Sequence, residues 1–436
     1  MLKSKYQSIK NNKSFLKYFK NTIWLFVSKI ISLFSVVFVG AWVAKYLGPE
    51  SFGLLSYSYS IVSLFIPLAM IGLNDIVIKE LLLAKTEKDT YKILGTSLGL
   101  KFLFGSLSFI LIIIFASVFY DSYHIKLLIF ILSFFLFLQA FEIVDLFFQS
   151  KVKSKFTVFA KIITVSISSI IKIIFIYKDF SIFYFAFAMV FEVLLLHTFT
   201  FYLFVKKYFS LNLWIFKKEL AIKLLKKSWP LFLSGLMYIV YIRIDQVMVK
   251  EILGDKSAGL YAVAINLSEV WYFIPNMIVS SLFPAIIISK TKEKEVYHKR
   301  LINLYRILFW IAILVALFTT LFGEFIIKNL YGIEYTNSSS VLKIYIWSNV
   351  FFFFTTVSSK WLVVEGYYIH SFIRNIMGAL MNIVINFVLL EKIGLIGAAI
   401  STLISYAFVG FFYDLLFKNL RINFRLKMKS IICSRN

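Results

Sequence analysis

Long apolar runs recur along the whole chain and decide what it can fold into. A helix that crosses the hydrocarbon core of a bilayer needs about 20 consecutive, mostly apolar residues. Twelve segments have this length, and they lie at 21–43, 52–73, 93–119, 125–149, 156–177, 180–205, 229–249, 258–289, 301–327, 341–364, 371–390 and 394–417. The sequence therefore predicts an all-α, polytopic membrane protein with twelve transmembrane helices.

The composition excludes the other broad classes of protein. Hydrophobic residues make up 60% of the chain and charged residues 16%, against about 25% charged residues in an ordinary soluble domain. A water-soluble enzyme or a disordered chain does not carry so much apolar surface. The single cysteine, Cys433, excludes an intrachain disulfide and a Cys-rich metal site.

Basic residues indicate the orientation. The net charge is +25, which in a soluble protein would suggest a nucleic-acid partner. Here the bases lie in short clusters between the apolar runs, which indicates no nucleic acid but contact with anionic membrane lipids. If the N-terminus is cytoplasmic, cytoplasmic segments hold 31 bases and the opposite loops hold 7. We therefore expect both termini in the cytoplasm.

A repeated motif indicates a duplication. The pattern LGxxSxGL occurs at 47–54 and again at 253–260, and Phe-Ile-Pro occurs at 65–67 and at 273–275. The sequence thus predicts two six-helix lobes of equal orientation, related by a pseudo-twofold axis along the membrane normal. We place the N-terminal lobe at 1–205, a basic amphipathic cytoplasmic linker at 206–227, the C-terminal lobe at 228–417 and a basic cytoplasmic tail at 418–436.

Two segments resemble a known family. Residues 45–81, KYLGPESFGLLSYSYSIVSLFIPLAMIGLNDIVIKEL, resemble the corresponding region of bacterial polysaccharide flippases of the Wzx type, and residues 241–275 are similar to the matching region of their second half. The segment GLIGAA at 394–399 extends the resemblance to the last helix. These flippases belong to the multidrug/oligosaccharidyl-lipid/polysaccharide exporter superfamily.

The resemblance implies a function. It implies that a lipid-pyrophosphate-linked oligosaccharide is moved from the inner to the outer leaflet of the bacterial cytoplasmic (inner) membrane by alternating access. The product would serve synthesis of a surface polysaccharide such as O-antigen, capsule or exopolysaccharide. The implied partners are a polyprenyl-pyrophosphate-linked oligosaccharide, a coupling proton or sodium ion and the polysaccharide polymerase machinery, with no cofactor.

Cations within the apolar runs are candidate ligands of the pyrophosphate. A charge inside a bilayer is costly and usually faces a cavity or a partner. The candidates are Lys29, Lys101, Lys161, Lys172 and Arg243. Lys161 and Lys172 share a helical stripe with a threonine and a serine, which favours a polar wall. The alternative is that each lysine extends its amine to the membrane surface.

Acidic residues within the runs are candidates for ion coupling: Asp245, Glu269 and Glu192. Asp245 shares a helix face with Tyr238 and Tyr241, and its spacing from Arg243 turns the two side chains about 200° apart. The alternative is a structural ion pair with a neighbouring helix. Glu142 and Asp145 are expected to form a solvated cluster with Lys151, Lys153 and Lys155.

The sequence contains no Walker A motif, no metal-ligand motif and no nucleophile–base pair that we recognise. We therefore expect no catalytic residue, no metal and no enzyme. Three rival interpretations stay open: a drug or cation antiporter of the same superfamily, a membrane-embedded polysaccharide polymerase or glycosyltransferase, and a scaffold without transport activity.

Overall fold

The computed structural model describes residue 24 and residues 26–208, 214–290 and 293–432. Several features predicted from the sequence lie outside the described residues: the basic N-terminus, the first residues of the first span, positions 209–213 of the linker, and Cys433. No β-strand occurs in these described ranges.

Helices make up nearly all of the described chain. The first span is helical from Phe26 and passes through a π-helical turn, Ser35–Val39, into the first labelled helix. The helices are α1 Gly40–Met70, α2 Leu73–Leu83, α3 Glu87–Phe119, α4 Tyr123–Leu138, α5 Ile143–Ser150, α6 Lys155–Tyr177, α7 Ile182–Tyr208, α8 Lys218–Glu269, α9 Phe273–Lys290, α10 Lys294–Leu330, α11 Ser338–Tyr345, α12 Ser348–Val364, α13 Tyr368–Ile393, α14 Leu395–Ala407, α15 Tyr413–Leu416 and α16 Arg421–Ile431.

The described residues of the twelve predicted spans fall on helical segments, which confirms the prediction. Nine continuous helical segments of the described chain are long and apolar enough to cross a membrane, and the pair α11 and α12, bent by 41°, makes a tenth. Two of the nine segments each contain two predicted spans. They are divided at Gly48 (φ 71°, ψ 168°) and at Gly254 (φ 84°, ψ 176°). Glycine adopts this positive φ without the steric penalty of a Cβ atom.

The two copies of LGxxSxGL pack against each other. A Cβ atom built on Gly53 would lie 1.9 Å from the carbonyl oxygen of Asp255, and one built on Gly259 would lie 1.9 Å from the carbonyl oxygen of Pro49. Pro49 and Asp255 are equivalent positions of the repeat, as are Gly53 and Gly259. The contact is therefore reciprocal, as a twofold axis requires. Both copies lie on the same side of the membrane, as we predicted from the repeat.

The chain divides into two compact units. Unit 1 comprises Met1–Val43 and Ile61–Leu236, and unit 2 comprises Ala44–Ser60 and Met237–Asn436. In unit 1 a core of buried aliphatic and aromatic side chains joins α2, α3, α5, α7 and the start of α8. In unit 2 a core rich in Phe and Tyr joins α9, α10, α12, α13 and α14. The lobe and linker boundaries inferred from the repeat stay a prediction.

The segment after Phe417, predicted as a basic tail, forms the packed helix α16. The Lys427 side chain is fully buried. Its amine donates to Asp414 Oδ2 at 2.7 Å and to the Gly410 carbonyl oxygen at 2.7 Å. Gly410 lies in a π-helical turn, Phe408–Phe412, that connects α14 to α15. Asn423 also donates to Asp414, at 2.8 Å. These buried hydrogen bonds fix α16 to the body of unit 2.

Candidate functional site

Lys101, on α3, lies in the interior of unit 1 and is already paired. Its side chain is fully buried, and its amine donates to Glu142 Oε2 at 2.8 Å and to Asn74 Oδ1 at 2.6 Å. Asn74 also donates to Glu142, at 3.0 Å. A buried charge needs such compensation because desolvation is expensive. Phosphate binding by Lys101 stays a prediction, but Glu142 matches its charge in this structure.

This triad corrects the prediction for Glu142 and Asp145. We expected both carboxylates to join a solvated cluster with the nearby lysines. Instead Glu142 pairs with Lys101, while Asp145 accepts a hydrogen bond from Gln149 at 2.8 Å. Lys153 donates to the hydroxyl of Tyr208 at 2.8 Å. Proximity along the chain suggested the cluster. In the structure Glu142, in the 3-10 turn that precedes α5, instead packs against the buried amine of Lys101 on α3.

Lys172 and Glu192, two candidates assigned to different roles, form one ion pair. Lys172 Nζ on α6 lies 2.9 Å from Glu192 Oε2 on α7. Both side chains are partly exposed, at 16% and 29%. The pairing joins the neighbouring helices α6 and α7, a contact that we did not predict for either residue. Their roles in binding and coupling stay predictions.

Lys29 and Lys161 differ from the other two lysines. Within the described part of the chain neither forms an ion pair, and Lys161 lies within electrostatic reach of Lys29, Asp145 and Glu192. Lys29 is exposed, whereas Lys161 is half-buried. The helices that carry them are joined by a hydrogen bond of 2.8 Å between Ser35 Oγ and Ser169 Oγ. Lys161 thus lies near one like charge and two carboxylates, and none of these carboxylates is within ion-pair distance of it.

Arg243 pairs with Glu269 in unit 2. Arg243 Nη2 lies 3.7 Å from Glu269 Oε2, and the guanidinium carbon lies 6.0 Å from the ring centroid of Tyr59. Both charged side chains are about a fifth exposed. Asp245 has different partners, as the 200° separation along the helix predicted. Arg243 therefore contributes little unbalanced positive charge for a phosphate.

Asp245 is buried without a cationic partner in the described ranges. Its side chain is 3% exposed. One carboxylate oxygen accepts from Asn386 Nδ2 at 2.6 Å, and the other accepts from Thr402 Oγ1 at 2.5 Å and from Tyr261 at 3.1 Å. A carboxylate held by neutral donors alone keeps its full charge uncompensated inside the protein. Asp245 is thus a buried carboxylate that no cationic side chain pairs with among the described residues.

Oxygen atoms around Asp245 suit a small cation. The Asn386 Oδ1 atom is buried without a hydrogen-bond partner. Asn382 Oδ1 accepts from Asn386, and the carbonyl oxygen of Ala398 lies 3.0 Å from Thr402 Oγ1, whose single proton is donated to Asp245. Carboxylate, amide, hydroxyl and carbonyl oxygens are the ligands that hard cations prefer. In the described part of the chain, no group of three or more His, Cys, Asp or Glu side chains could hold a metal ion.

The uncharged residues of both sites were not predicted from the sequence. The candidates were chosen for their charge, and the partners found in the structure include the neutral side chains of Asn74, Asn382, Asn386 and Thr402. One signal was available, because Asn382 and Asn386 lie four positions apart within an apolar span and so share a helix face. Uncharged amides in a membrane helix also need partners. Asn74 offered no comparable pattern, since it lies at the polar end of its span.

Comparison with known proteins decides the family. The model of the family described as "Polysaccharide biosynthesis protein" matches residues 18–290, which is more than half of the chain. The chain belongs to this polysaccharide biosynthesis protein family. A second family model, MatE, matches residues 230–388. Among curated proteins, an uncharacterized membrane protein of Methanocaldococcus jannaschii is 27% identical over 184 residues, and the match spans 42% of this chain and 42% of that protein.

Solved structures confirm the fold of this family member. An inward-facing multidrug resistance MATE family transporter of the MOP superfamily has a TM-score of 0.74 at 17% identity, covering 93% of this chain and 96% of that one. The lipid II flippase MurJ, in an inward closed conformation, has a TM-score of 0.65 at 18% identity, covering 95% and 91%. A MOP superfamily transporter from Pyrococcus furiosus has a TM-score of 0.66 at 16% identity, covering 94% and 96%.

The superfamily predicted from the sequence is thus confirmed. The family match and the fold together make the protein a multi-pass membrane protein of the multidrug/oligosaccharidyl-lipid/polysaccharide exporter superfamily. At sequence identities of 16–18%, the similar solved structures show the fold of this chain and not its substrate. The substrate therefore has to be argued from the residues of this chain.

Proposed function

We propose that the protein is a flippase that moves a lipid-pyrophosphate-linked oligosaccharide from the cytoplasmic to the outer leaflet of the bacterial cytoplasmic membrane. The family description, polysaccharide biosynthesis, supports a saccharide-containing substrate. One neighbour in fold is named as a flippase of lipid II. The product would enter synthesis of a surface polysaccharide, with the polymerase machinery acting after transfer.

Lys29 and Lys161 carry this proposal. Of the four candidate lysines of unit 1, they are the two that form no ion pair in the described ranges, and Lys161 lies within electrostatic reach of Lys29. A pyrophosphate brings at least two negative charges, which need cationic partners to leave water. Lysine is a flexible point charge for phosphate oxygens. Lys101 and Lys172 have the supporting role of fixing α3 and α6 through Glu142 and Glu192.

Asp245 supplies the coupling site in this proposal. Its uncompensated carboxylate and the free Oδ1 atom of Asn386 favour a sodium ion or a proton. Either ion would change the hydrogen bonds to Thr402 and Asn386, which lie on α14 and α13. Ion binding thereby becomes linked to the packing of α8, α13 and α14 within unit 2, which is the requirement for a coupled conformational change.

The orientation belongs to the same proposal. The distribution of 31 bases against 7 supports cytoplasmic termini. A reporter that is active only outside the cytoplasm, fused after Asn436, is expected to give no signal. A strong signal would reverse the orientation and with it the direction of transfer that we propose.

A drug or cation antiporter is the second candidate. The fold similarity to a multidrug resistance transporter and the buried carboxylate of Asp245 favour it. The two candidates differ in the charge of the cargo. Unit 1 presents unpaired lysines, whereas a binding site for cationic drugs would present unpaired carboxylates.

A depletion experiment tests the proposed function. Cells that lack the protein are expected to accumulate a lipid-linked oligosaccharide on the inner leaflet, and expression of the wild-type chain should clear it. Lys161→Ala should fail to clear it, and the exposed Lys178→Ala serves as the matched control. Normal export in the depleted cells, together with protein-dependent efflux of a cationic dye, would replace the flippase by the antiporter.

A further inference from the structure

A cavity of about 490 Å³ lies in unit 2, and neither Asp245 nor any of its hydrogen-bond partners is among its lining residues. Four connections meet there: the end of α9, the start of α10, the turn between α12 and α13, and the chain leading into α16. The lining residues come from all four: Lys290, Lys294, Tyr297, His298, Trp361, Glu365, Tyr367, Asn419 and Ile422. No part of the proposed transport mechanism uses this cavity.

Glu365 is the single carboxylate among the described residues that line the cavity, and it already has an ion-pair partner. Glu365 lies 2.9 Å from Lys290 Nζ, and it accepts a hydrogen bond of 2.9 Å from the hydroxyl of Tyr297. Lys290 is further fixed by donating to the Val364 carbonyl oxygen at 3.2 Å. The negative charge of Glu365 is therefore balanced by Lys290, and Glu365 has a structural role in the cavity wall.

The remaining charge of the cavity is positive. Within the described ranges, Lys294 and His298 form no ion pair and no hydrogen bond through their side chains. Lys429, on α16, acts electrostatically on His298 in addition to Lys294 and Glu365. Among the described lining residues, the amine of Lys294 and the imidazole of His298 thus face the cavity, and the one carboxylate is already paired with Lys290. Such a surplus attracts an anion with several acceptor oxygens.

Aromatic side chains form the inner wall. Trp361 and Tyr297 are each 2% exposed and belong to the hydrophobic core of unit 2, so the cavity reaches into folded structure. Tyr367 packs near Trp361, with ring centroids 5.9 Å apart. A cation-lined cavity with aromatic walls accepts an anionic group that carries an apolar or flat portion.

We propose that this cavity is a binding site for a phosphate ester, held by Lys294 and His298 against the aromatic wall of Trp361 and Tyr367. Two sources share this chemistry: the headgroup of an anionic phospholipid and a soluble phosphorylated metabolite. Both would reach the cavity at the membrane surface, because its charged residues lie outside the apolar portions of their helices.

The bound phosphate would connect the loops to the C-terminal helix. Asn419 and Ile422 contribute one wall of the cavity, and α16 is anchored next to them by Lys427 and Asp414. An anion at Lys294 and His298 would also draw in Lys429 of α16. Occupation of the cavity should therefore stabilise α16 against the start of α10.

Binding to the purified full-length protein tests the proposal. In detergent, titration with inorganic phosphate and with glycerol 3-phosphate is followed by calorimetry. Lys294→Gln should weaken binding on the order of tenfold, the loss of one charged hydrogen bond, and His298→Gln should weaken it by less, because burial and the nearby Lys294 lower the pKa of His298. Both side chains are at least partly exposed, so neither variant is expected to unfold the protein. Lys299→Gln, an exposed lysine of α10 outside the cavity, is the matched control.

A second arm distinguishes the source. The protein is reconstituted in nanodiscs of phosphatidylcholine with or without 30% phosphatidylglycerol, and native mass spectrometry counts the phospholipids that it retains. Retention of phosphatidylglycerol that depends on Lys294 and His298 assigns the lipid. Binding of the soluble phosphates without such retention assigns a metabolite. Hydrogen exchange over 421–431 should slow when the site is occupied.

Two results would overturn the proposal. One is the absence of binding in both arms by a protein that is folded and monodisperse. The other is an equal loss of affinity for Lys294→Gln and Lys299→Gln, because that would indicate a diffuse effect of net charge. Neither result bears on the flippase proposal, which is measured by export.

Discussion

Units 1 and 2 differ in which charged side chains lack an ion pair. In unit 1, Lys101 and Lys172 each have a carboxylate within 3 Å, and Lys29 and Lys161 have no ion pair among the described residues. In unit 2, Arg243 and Lys427 each face a carboxylate, whereas the buried groups Asp245 and Arg374 have no ion pair in the same ranges. Among these residues the unpaired groups are thus two lysines in unit 1, and one acid and one base in unit 2.

This contrast suggests a division of labour. An unpaired charge inside a membrane protein is expensive and persists where a ligand of opposite charge supplies the compensation. Surplus lysines therefore suit an anionic substrate, and a surplus carboxylate suits a cation. The paired residues have a different task, because they hold neighbouring helices at fixed positions. The predictions below test which buried charges belong to each class.

The largest effect is expected from breaking the Lys101 pair. Glu142→Gln would leave a fully buried amine without its counter-charge and should lower the free energy of unfolding by about 3 kcal/mol, near the lower end for buried pairs because Glu142 is 24% exposed. The double variant Lys101→Met with Glu142→Gln should recover most of this loss. Thermal unfolding in detergent measures both, and Lys92→Met, which removes an exposed pair with Asp89, is the control.

If Lys101 instead binds substrate, the double variant will be stable but inactive. Such an outcome would mean that Lys101 binds the substrate and does not only hold neighbouring helices together. An ion pair in this structure would then no longer distinguish structural lysines from substrate-binding lysines.

Asp245→Asn tests the unpaired carboxylate of unit 2. The change keeps the volume of the side chain and removes its charge, so ion-coupled transport should fall roughly hundredfold, as expected for about 3 kcal/mol of lost charged contacts. The dependence of transport on external sodium or pH should disappear. Flux into proteoliposomes measures this, with the exposed Glu219→Gln as the control on the same helix. Normal transport at every external pH and sodium concentration would give Asp245 a purely structural role.

Lys29 and Lys161 test the positive surplus of unit 1. Lys→Ala at either position should reduce substrate affinity about tenfold to a hundredfold, the equivalent of 1–3 kcal/mol for a charged hydrogen bond. Lys→Arg should retain part of the activity. The loss should be the same for every saccharide, since all lipid-linked substrates share the pyrophosphate. Expression must be matched first, because removing a charge eases membrane insertion.

Native transport by both alanine variants would place the pyrophosphate site elsewhere. Arg243 and the basic segments between the spans would then be the next residues to examine.

The smallest effect is expected at Lys172 and Glu192. Both side chains are partly exposed, so their ion pair should contribute less than about 1 kcal/mol to stability. Lys172→Gln and Glu192→Gln should each leave transport within about twofold of the wild type. A double-mutant cycle on thermal stability measures the coupling. A loss as large as that of Lys161→Ala would return Lys172 to the binding class, as the sequence stripe predicted.

Helix number and the repeat followed from the sequence because both depend on local patterns. An apolar run of about 20 residues has to be satisfied as a helix in lipid whatever its neighbours are. Gly48 and Gly254 were recognisable because their positive φ is a property of one residue and its turn. The family resemblance rested on the same local segments, 45–81 and 241–275.

Charge pairing, in contrast, was decided by tertiary structure. The sequence determined that Lys101, Lys172, Arg243 and Asp245 lie inside membrane spans, but their periodicity gave only the face of each helix. Partners such as Glu142 and Glu192 lie 41 and 20 positions away along the chain, and Asn386 lies 141 positions from Asp245. Hydrogen bonds and ion pairs form only between atoms within about 4 Å of each other, so helix packing determined which buried charges are paired and which are not.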